Sequence, residues 1–430
     1  MSRFTITDLV ARRVWDSRGR PTVEVELTTA GGATGRAIAP AGASTGSGEA
    51  VDLRDGGAAF GGLDVQTALG GLRDRVAPAL CGMDVRDQTA LDARLIELDA
   101  TPDMASLGGN ASIAVSMAAL HTAASAQGVP LWRHLAGDVA PAHLPLPEVQ
   151  IFGGGAHAAR RVDVQDFMVV PVGADDYRQA LEWVADVYHA AGTLMADSGR
   201  LAGVADEGGF WPVFATNEEA IETVLRAIEK SGHRPGEDMA ISLDIAASEF
   251  GRNGRYTLSR DGVEMGSDAF GDLVLGWLDT YPIVAVEDPL AEDDIAGLAR
   301  FTARAGRGVQ IIADDAAVTD AARIRSNAKA GACNAVLIKP NQNGTVTGTR
   351  AAMAAAREVG WGSVISARSG ETEDTTIVHM AVGWGIAQLK VGSFARSERM
   401  AKWNEGLRIA DVAACGAALP DRATFVWNRP

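Results

Sequence analysis

Apolar and polar positions alternate through the first 40 residues, as in Pro21-Thr-Val-Glu-Val-Glu-Leu-Thr-Thr29. A period of two places one face of a strand inward, so this stretch predicts a meander of antiparallel strands split at Gly31-Gly32. From about residue 64 to 136 the chain is rich in alanine and leucine at helical spacing, and the first 136 residues read together as a small α+β domain. Three prolines in Pro141–Pro147 mark a boundary. Beyond it, over residues 141–430, short continuous apolar runs alternate with alanine-rich helical segments, the pattern of buried parallel strands in βα units. The expected fold is therefore α/β, a (β/α)8 barrel behind an N-terminal α+β domain.

Five of those runs end in a charged residue: Ile241-Ser-Leu-Asp244, Ile283-Val-Ala-Val-Glu287, Val309-Gln-Ile-Ile-Ala-Asp314, Ala335-Val-Leu-Ile-Lys339 and Ala387-Gln-Leu-Lys390. The active site of a βα barrel lies at the C-terminal ends of its strands, so the five groups would converge on one mouth. A single such charge is most simply a side chain leaving the strand for solvent; five in register are not. Asp244, Glu287 and Asp314 form an oxygen-only set that suits Mg²⁺, and without a cation they would repel one another strongly. Lys339 and Lys390 are either charge-balancing partners or, beside a dication that favours the neutral amine, a base for a carbon-bound proton and a contact for an anionic substrate. Arg368 and Ser369 offer a fork and a hydroxyl for phosphate. Glu207, in Asp206-Glu-Gly-Gly209, is a candidate general acid, with a solvated turn as the alternative. The loop Ala41-Gly-Ala-Ser-Thr-Gly-Ser-Gly48 lacks the P-loop lysine pattern and reads as a mobile lid rather than a phosphate cradle.

The composition is ordinary globular, 47% hydrophobic and 22% charged. A net charge of −16 argues against nucleic acid or an anionic membrane as the main partner. No basic-then-apolar leader pattern opens the chain, no uncharged apolar run reaches membrane-span length, and Cys81, Cys333 and Cys415 lie far apart with no paired spacing. A cytoplasmic enzyme is the expectation.

The run Ser366-Ala-Arg-Ser-Gly-Glu-Thr-Glu-Asp-Thr resembles the enolase motif Ser-His-Arg-Ser-Gly-Glu-Thr-Glu-Asp-Thr. Ala11-Arg-Arg-Val-Trp-Asp-Ser-Arg-Gly-Arg-Pro, Ala41-Gly-Ala-Ser-Thr-Gly, Val164-Gln-Asp-Phe-Met, Val286-Glu-Asp-Pro, Ile338-Lys-Pro-Asn-Gln and Ala395-Arg-Ser-Glu-Arg are similar to that family's other motifs, across roughly residues 3–410. The resemblance implies a divalent metal, usually Mg²⁺, on Asp244, Glu287 and Asp314, and a homodimer. It implies Lys339 as the base at C2, Lys390 facing the substrate carboxylate, and Glu207 as the acid at the leaving hydroxyl. Gly42, Ala43 and Ser44 would close over the substrate, Ser44, Arg368 and Ser369 would meet phosphate, and His157 falls where the family has its loop histidine. The substrate implied is a small phosphorylated three-carbon acid.

The departures are Ala367 for histidine, Asp166 for the glutamate supporting the general acid, Gly153 for asparagine, Ala41 for serine and Arg20 for asparagine. Ala367 and Asp166 both fall, by the resemblance, at the end where hydroxide leaves. An alanine cannot donate, accept or titrate. The reading favoured from sequence is therefore altered leaving-group chemistry, as in the carboxyphosphonoenolpyruvate synthase branch of phosphonate biosynthesis, with a phosphonate co-substrate. An ordinary enolase that dehydrates 2-phosphoglycerate, and an enolase-like binding protein, are the alternatives.

Overall fold

The computed structural model describes residues 1–258 and 262–428; residues 259–261 and 429–430, all within the expected 141–430 barrel region, lie outside the described residues. Strands β1 (Ile6–Trp15), β2 (Pro21–Thr29) and β3 (Thr34–Ile38) form the expected antiparallel meander. Trp15 pairs with Pro21 across the first turn, where Gly19 adopts a φ of 68°. There Asp16 Oδ1 accepts the backbone N–H of Arg18 at 2.8 Å and of Arg20 at 2.9 Å. Arg20 enters that turn through its backbone and its side chain is exposed, so its identity is weakly constrained.

The helical stretch includes Gln88–Asp99 and Gly109–Gln127, and the second of these packs on β2 and β3. The approach is so close that a Cβ on Gly35 would stand 2.2 Å from the backbone nitrogen of Thr122. The same helices reach the second part of the chain. Asp92 Oδ2 accepts the N–H of Thr347 at 2.8 Å and Ser116 Oγ that of Val346 at 2.9 Å. Two free donors of the helix Val346–Glu358 are thereby satisfied from outside that helix.

Past the proline-rich stretch, β4 (Leu146–Gly153), β5 (Asp166–Val170) and β6 (Ala240–Asp244) begin a closed barrel. A small ribbon of β7 (Gly251–Arg252), β8 (Arg255–Thr257) and β9 (Glu264–Gly266) stands aside. Then β10 (Ile283–Glu287), β11 (Gln310–Ala313), β12 (Ala335–Ile338), β13 (Gly362–Ser366) and β14 (Gln388–Ser393) complete the circuit back to β4. Ala285, Ile312, Ala335, Leu337 and Val364 form an apolar cluster within it. The intervening helices start where side chains of Asp176, Thr216, Asp294, Asp320 and Thr345 accept backbone N–H groups as N-caps.

Two expectations need correction. The barrel strands are not all parallel, since β5 runs against both β4 and β6. A parallel return needs a crossover of a dozen or more residues, usually helical, and the link from β4 to β5 contains only the short 3₁₀ turn Gly155–Ala158. Nor does Lys390 end its strand: β14 continues to Ser393 past a register shift between Lys390 and Gly392, where φ is 107°. Among the described residues, no helix is long and apolar enough to cross a membrane.

Gly35→Ala forces the helix Gly109–Gln127 away from β3. It should lower stability by about 1–3 kcal/mol, read as a fall in melting temperature, because an added methyl there overpacks against backbone that cannot rotate aside.

Candidate active site

Asp244 and Glu287 are the last residues of β6 and β10, while Asp314 and Lys339 stand one residue past β11 and β12. With Lys390 they meet at one end of the barrel, and all five are buried. Lys390 Nζ donates to Asp244 Oδ2 at 2.8 Å and Glu287 Oε2 at 2.7 Å, and lies 3.3 Å from Asp166 Oδ2. Lys339 Nζ donates to Asp314 Oδ2, whose partner oxygen accepts Gln342 Nε2 at 2.8 Å. Gln165 Nε2 adds a second donor to Asp244 Oδ2 at 3.1 Å.

Two oxygens in this cluster, Asp244 Oδ1 and Glu287 Oε1, are buried and accept no hydrogen bond. Burial and the neighbouring Asp244 push the Glu287 carboxyl well above its ordinary range. Buried anionic oxygens without donors are the signature of a site that fits a cation. An all-oxygen set with room for further oxygen ligands suits Mg²⁺.

A different set of three carboxylates, Asp288, Asp314 and Asp315, has ligand oxygens within 4.8 Å of one another. Asp288 is already engaged, accepting the N–H of Asp314 and of Asp315 at 2.9 Å each. It shapes the turn that presents Asp314, and sequence reasoning missed it; the signal is a second carboxylate directly after Glu287. Burial, reinforced by Asp314, pushes the Asp315 carboxyl up to about 8.

Without a cation, both lysines are held by the carboxylates around them. Burial pushes the Lys339 ammonium down, but Asp314 and Glu287 outweigh it, and the net shift is upward. Lys390 goes well up for the same reason, with Asp244 and Glu287 as its largest supporters against burial. The protein's own groups hold both lysines charged, opposite to what a base requires.

A second group forms on β5 and two loops. His157 Nε2 lies 3.7 Å from both Asp166 Oδ1 and Glu207 Oε1, an ion-pair distance rather than a hydrogen bond. His157 Nδ1 is buried without a partner. The two carboxyls are driven apart. Burial raises Asp166, with Glu207 adding to the rise against Lys390 and His157. Glu207 goes down, because His157, Arg399 and the two lysines overcome its burial.

Arg368 is paired within the protein. Its guanidinium donates to Glu49 Oε2 at 2.9 Å, Ser44 O at 2.9 Å and Asn341 Oδ1 at 3.2 Å. The approach requires Gly42, where a Cβ would sit 2.0 Å from Arg368 Nη2. Ser369 Oγ accepts from Arg18 Nη1 at 3.3 Å, so Arg18 joins Glu49, Gln165 and Gln342 as residues that the motifs alone did not single out. Ser47 closes the far side of the loop, its N–H and Oγ donating to Glu292 at 3.0 and 2.9 Å.

Ala43, Ser44, His157, Glu207, Lys339 and Ala367 line a common cavity of about 20 Å³. That is barely the room of one water. Ala367 is buried, its N–H donating to Lys390 O at 2.9 Å, and its methyl takes no part in polar contact.

Comparison with known proteins agrees with this geometry. Residues 6–135 match the family model for the enolase N-terminal domain, and residues 141–424 that for the enolase C-terminal TIM barrel domain. The chain is 45% identical over 428 residues to Enolase 1 of Desulfitobacterium hafniense (strain Y51), covering 99% of this chain and 98% of that protein. Nothing in these matches singles out the carboxyphosphonoenolpyruvate synthase branch favoured from the motif departures. Both halves of the chain, together covering nearly its whole length, carry the same assignment: the chain belongs to the enolase family of lyases.

Proposed function

We propose that the protein is a Mg²⁺-dependent enzyme that dehydrates 2-phosphoglycerate to phosphoenolpyruvate. One observation carries the reading. Two buried lysines face buried carboxylates with donor-free oxygens on one side of the cavity, and His157, Asp166 and Glu207 gather on the other. Asp244, Glu287 and Asp314 would hold Mg²⁺, which would neutralise charge and draw electron density from a bound carboxylate. With those anions neutralised, the support that keeps Lys339 charged weakens, and Lys339 Nζ accepts the C2 proton. Lys390 orients the substrate carboxylate. Glu207 is the proposed acid at the leaving C3 hydroxyl; its cationic neighbours hold it ionised, so it would first take up a proton, and Asp166, which burial holds towards its protonated form, stands with His157 beside it as the source. Ser44, Arg368 and Ser369 take the phosphate once Glu49 releases the guanidinium, and Gly42 and Ala43 carry the loop that shuts out water. The lid, the division into regions 1–136 and 141–430, the homodimer and the cytoplasmic location belong to the same proposal.

A second reading is favoured by Ala367. The missing imidazole leaves the hydroxyl-expelling end with one titratable group fewer than the family motif supplies. In this reading the enzyme handles the same enolic three-carbon phosphate but joins it to another group, as a carboxyphosphonoenolpyruvate synthase does with a phosphonate co-substrate.

Purified protein with Mg²⁺ and 2-phosphoglycerate should show rising enol absorbance, lost on chelation of the metal and restored by adding it back. Absence of that rise in the presence of metal-dependent C2 proton exchange overturns dehydration and favours the second reading. Lys339→Ala should lower both exchange and dehydration by about 10²–10⁴-fold, the usual contribution of a positioned acid or base. Ala367→His combined with Asp166→Glu separates the readings further. A gain of tenfold or more in dehydration, on the order of one general-acid contribution, supports the altered enzyme. No gain supports an enolase that works without the imidazole.

A further inference from the structure

Gln150 is a fully buried amide on β4 to which neither the motifs nor the proposed reaction assigns a role. Its two ends are used differently. Nε2 donates to Asp166 Oδ1, and Oε1 accepts the N–H of Gly209 at 2.9 Å. The donor and acceptor fix the orientation of the amide, because a flip would set its oxygen against a carboxylate and its NH₂ against an N–H. One side chain therefore ties Asp166, at the start of β5, to the Asp206–Gly209 turn that carries Glu207.

The backbone is built around this amide. A Cβ on Gly209 would stand 2.4 Å from Gln150 Oε1, and a Cβ on Gly153 would stand 3.2 Å from Nε2 and 2.8 Å from the Cβ of Ala205. Only glycine at both places leaves the slot. The sequence departure at Gly153 thus has a counterpart in the structure: the space that a side chain there would occupy is filled by Gln150. The turn itself is closed by Gly208 N–H to Ala205 O at 3.0 Å and anchored to β14 by Ser393 N–H to Glu207 O at 2.9 Å. Those bonds hold the backbone of the turn, and they do not reach Asp166.

We infer that Gln150 is a positioning residue for the leaving-group end of the site, holding Asp166 and the Glu207 turn in one fixed relation. The inference rests on the acid role proposed for Glu207. It does not touch the substrate and acts only through its two partners. Lys339, the proposed base one residue past β12, has Asp314 rather than Asp166 as its carboxylate partner, and Lys390 meets Asp166 only at 3.3 Å beside closer bonds to Asp244 and Glu287, so loss of the C3 group responds to Gln150 more strongly than proton removal at C2.

Gln150→Met keeps length and burial but removes both hydrogen bonds. In the full-length enzyme with Mg²⁺, exchange of the 2-phosphoglycerate C2 proton with D₂O should be affected far less than dehydration. Dehydration kcat should fall by ~10²-fold at unchanged KM, the scale of a misplaced reacting group. Dehydration left unchanged, or exchange and dehydration falling together, overturns the inference. Should the unsubstituted enzyme show no C2 exchange, the proposed reaction itself fails. The tether is then read from the crystal structure of the variant: displacement of the Asp166 carboxylate relative to Glu207 sustains it, and an unmoved pair overturns it.

Discussion

The mouth of the barrel gathers more buried carboxylate than its own cations balance, and most features of the site follow from that. Asp244, Glu287, Asp314 and Asp166 lie within reach of two ammonium groups, all buried. An uncompensated buried charge costs several kcal/mol, and removal of one partner from a buried pair typically costs about 3–5 kcal/mol. Lys390 accordingly bridges three carboxylates, Lys339 takes Asp314, and Glu287 is driven towards its protonated form. The imbalance cannot be relieved from within the chain, since donor-free oxygens persist on Asp244 and Glu287. A divalent cation at the proposed site would relieve it and would loosen the hold of the carboxylates on the lysines.

The lid obeys the same economy of charge. Arg368 is buried and cannot stand unpaired, so Glu49 from the adjoining loop supplies the carboxylate. In the proposed reaction a substrate phosphate would compete for the same guanidinium, and loop movement would follow from the release of Glu49 and the neighbouring Ser44 carbonyl. The glycines at 42 and 46 permit the tight closed form, the first against Arg368 and the second against Asp315 and Val318.

Much of this was legible in the sequence because strand ends speak through local pattern. The period-two alternation of Pro21–Thr29 and the apolar runs closing on Asp244, Glu287, Asp314 and Lys339 each encode burial over a few residues, and each became a strand or its edge. Strand direction is not local. The apolar run of β5 looks the same in either sense, and only the missing helix between Gly153 and Asp166 betrays the reversal. Lys390 was misplaced as a strand terminus because a bulge at Gly392 depends on pairing with β4, more than two hundred residues away. The partners of Arg368 and the tether of Gln150 were hidden for the same reason, being contacts between segments that the chain brings together only on folding. Asp288 shows the converse: its sequence position was plain, but nothing local says that its oxygens serve backbone rather than metal.

Ala367 takes a different meaning inside this geometry than it has in the motif. Around it the acid end is not dismantled. His157 stands between Glu207 and Asp166 at equal distance, and the two carboxyls are driven in opposite directions, Asp166 up and Glu207 down. Neighbouring carboxyls with separated proton affinities constitute a working acid–base pair, because one holds a proton under conditions where the other has lost it. An imidazole at 367 would bring another titratable group to that cavity and another positive charge when protonated. Its absence leaves the proton inventory to His157 and the two carboxyls and leaves a methyl where a donor could have met a departing oxygen. A leaving group that needs one proton can still be served by this arrangement; one that needs a second donor for stabilisation cannot. In the proposed reaction the alanine would therefore narrow the chemistry at that end without removing the enol-forming half, which would depend on charges on the other side of the cavity.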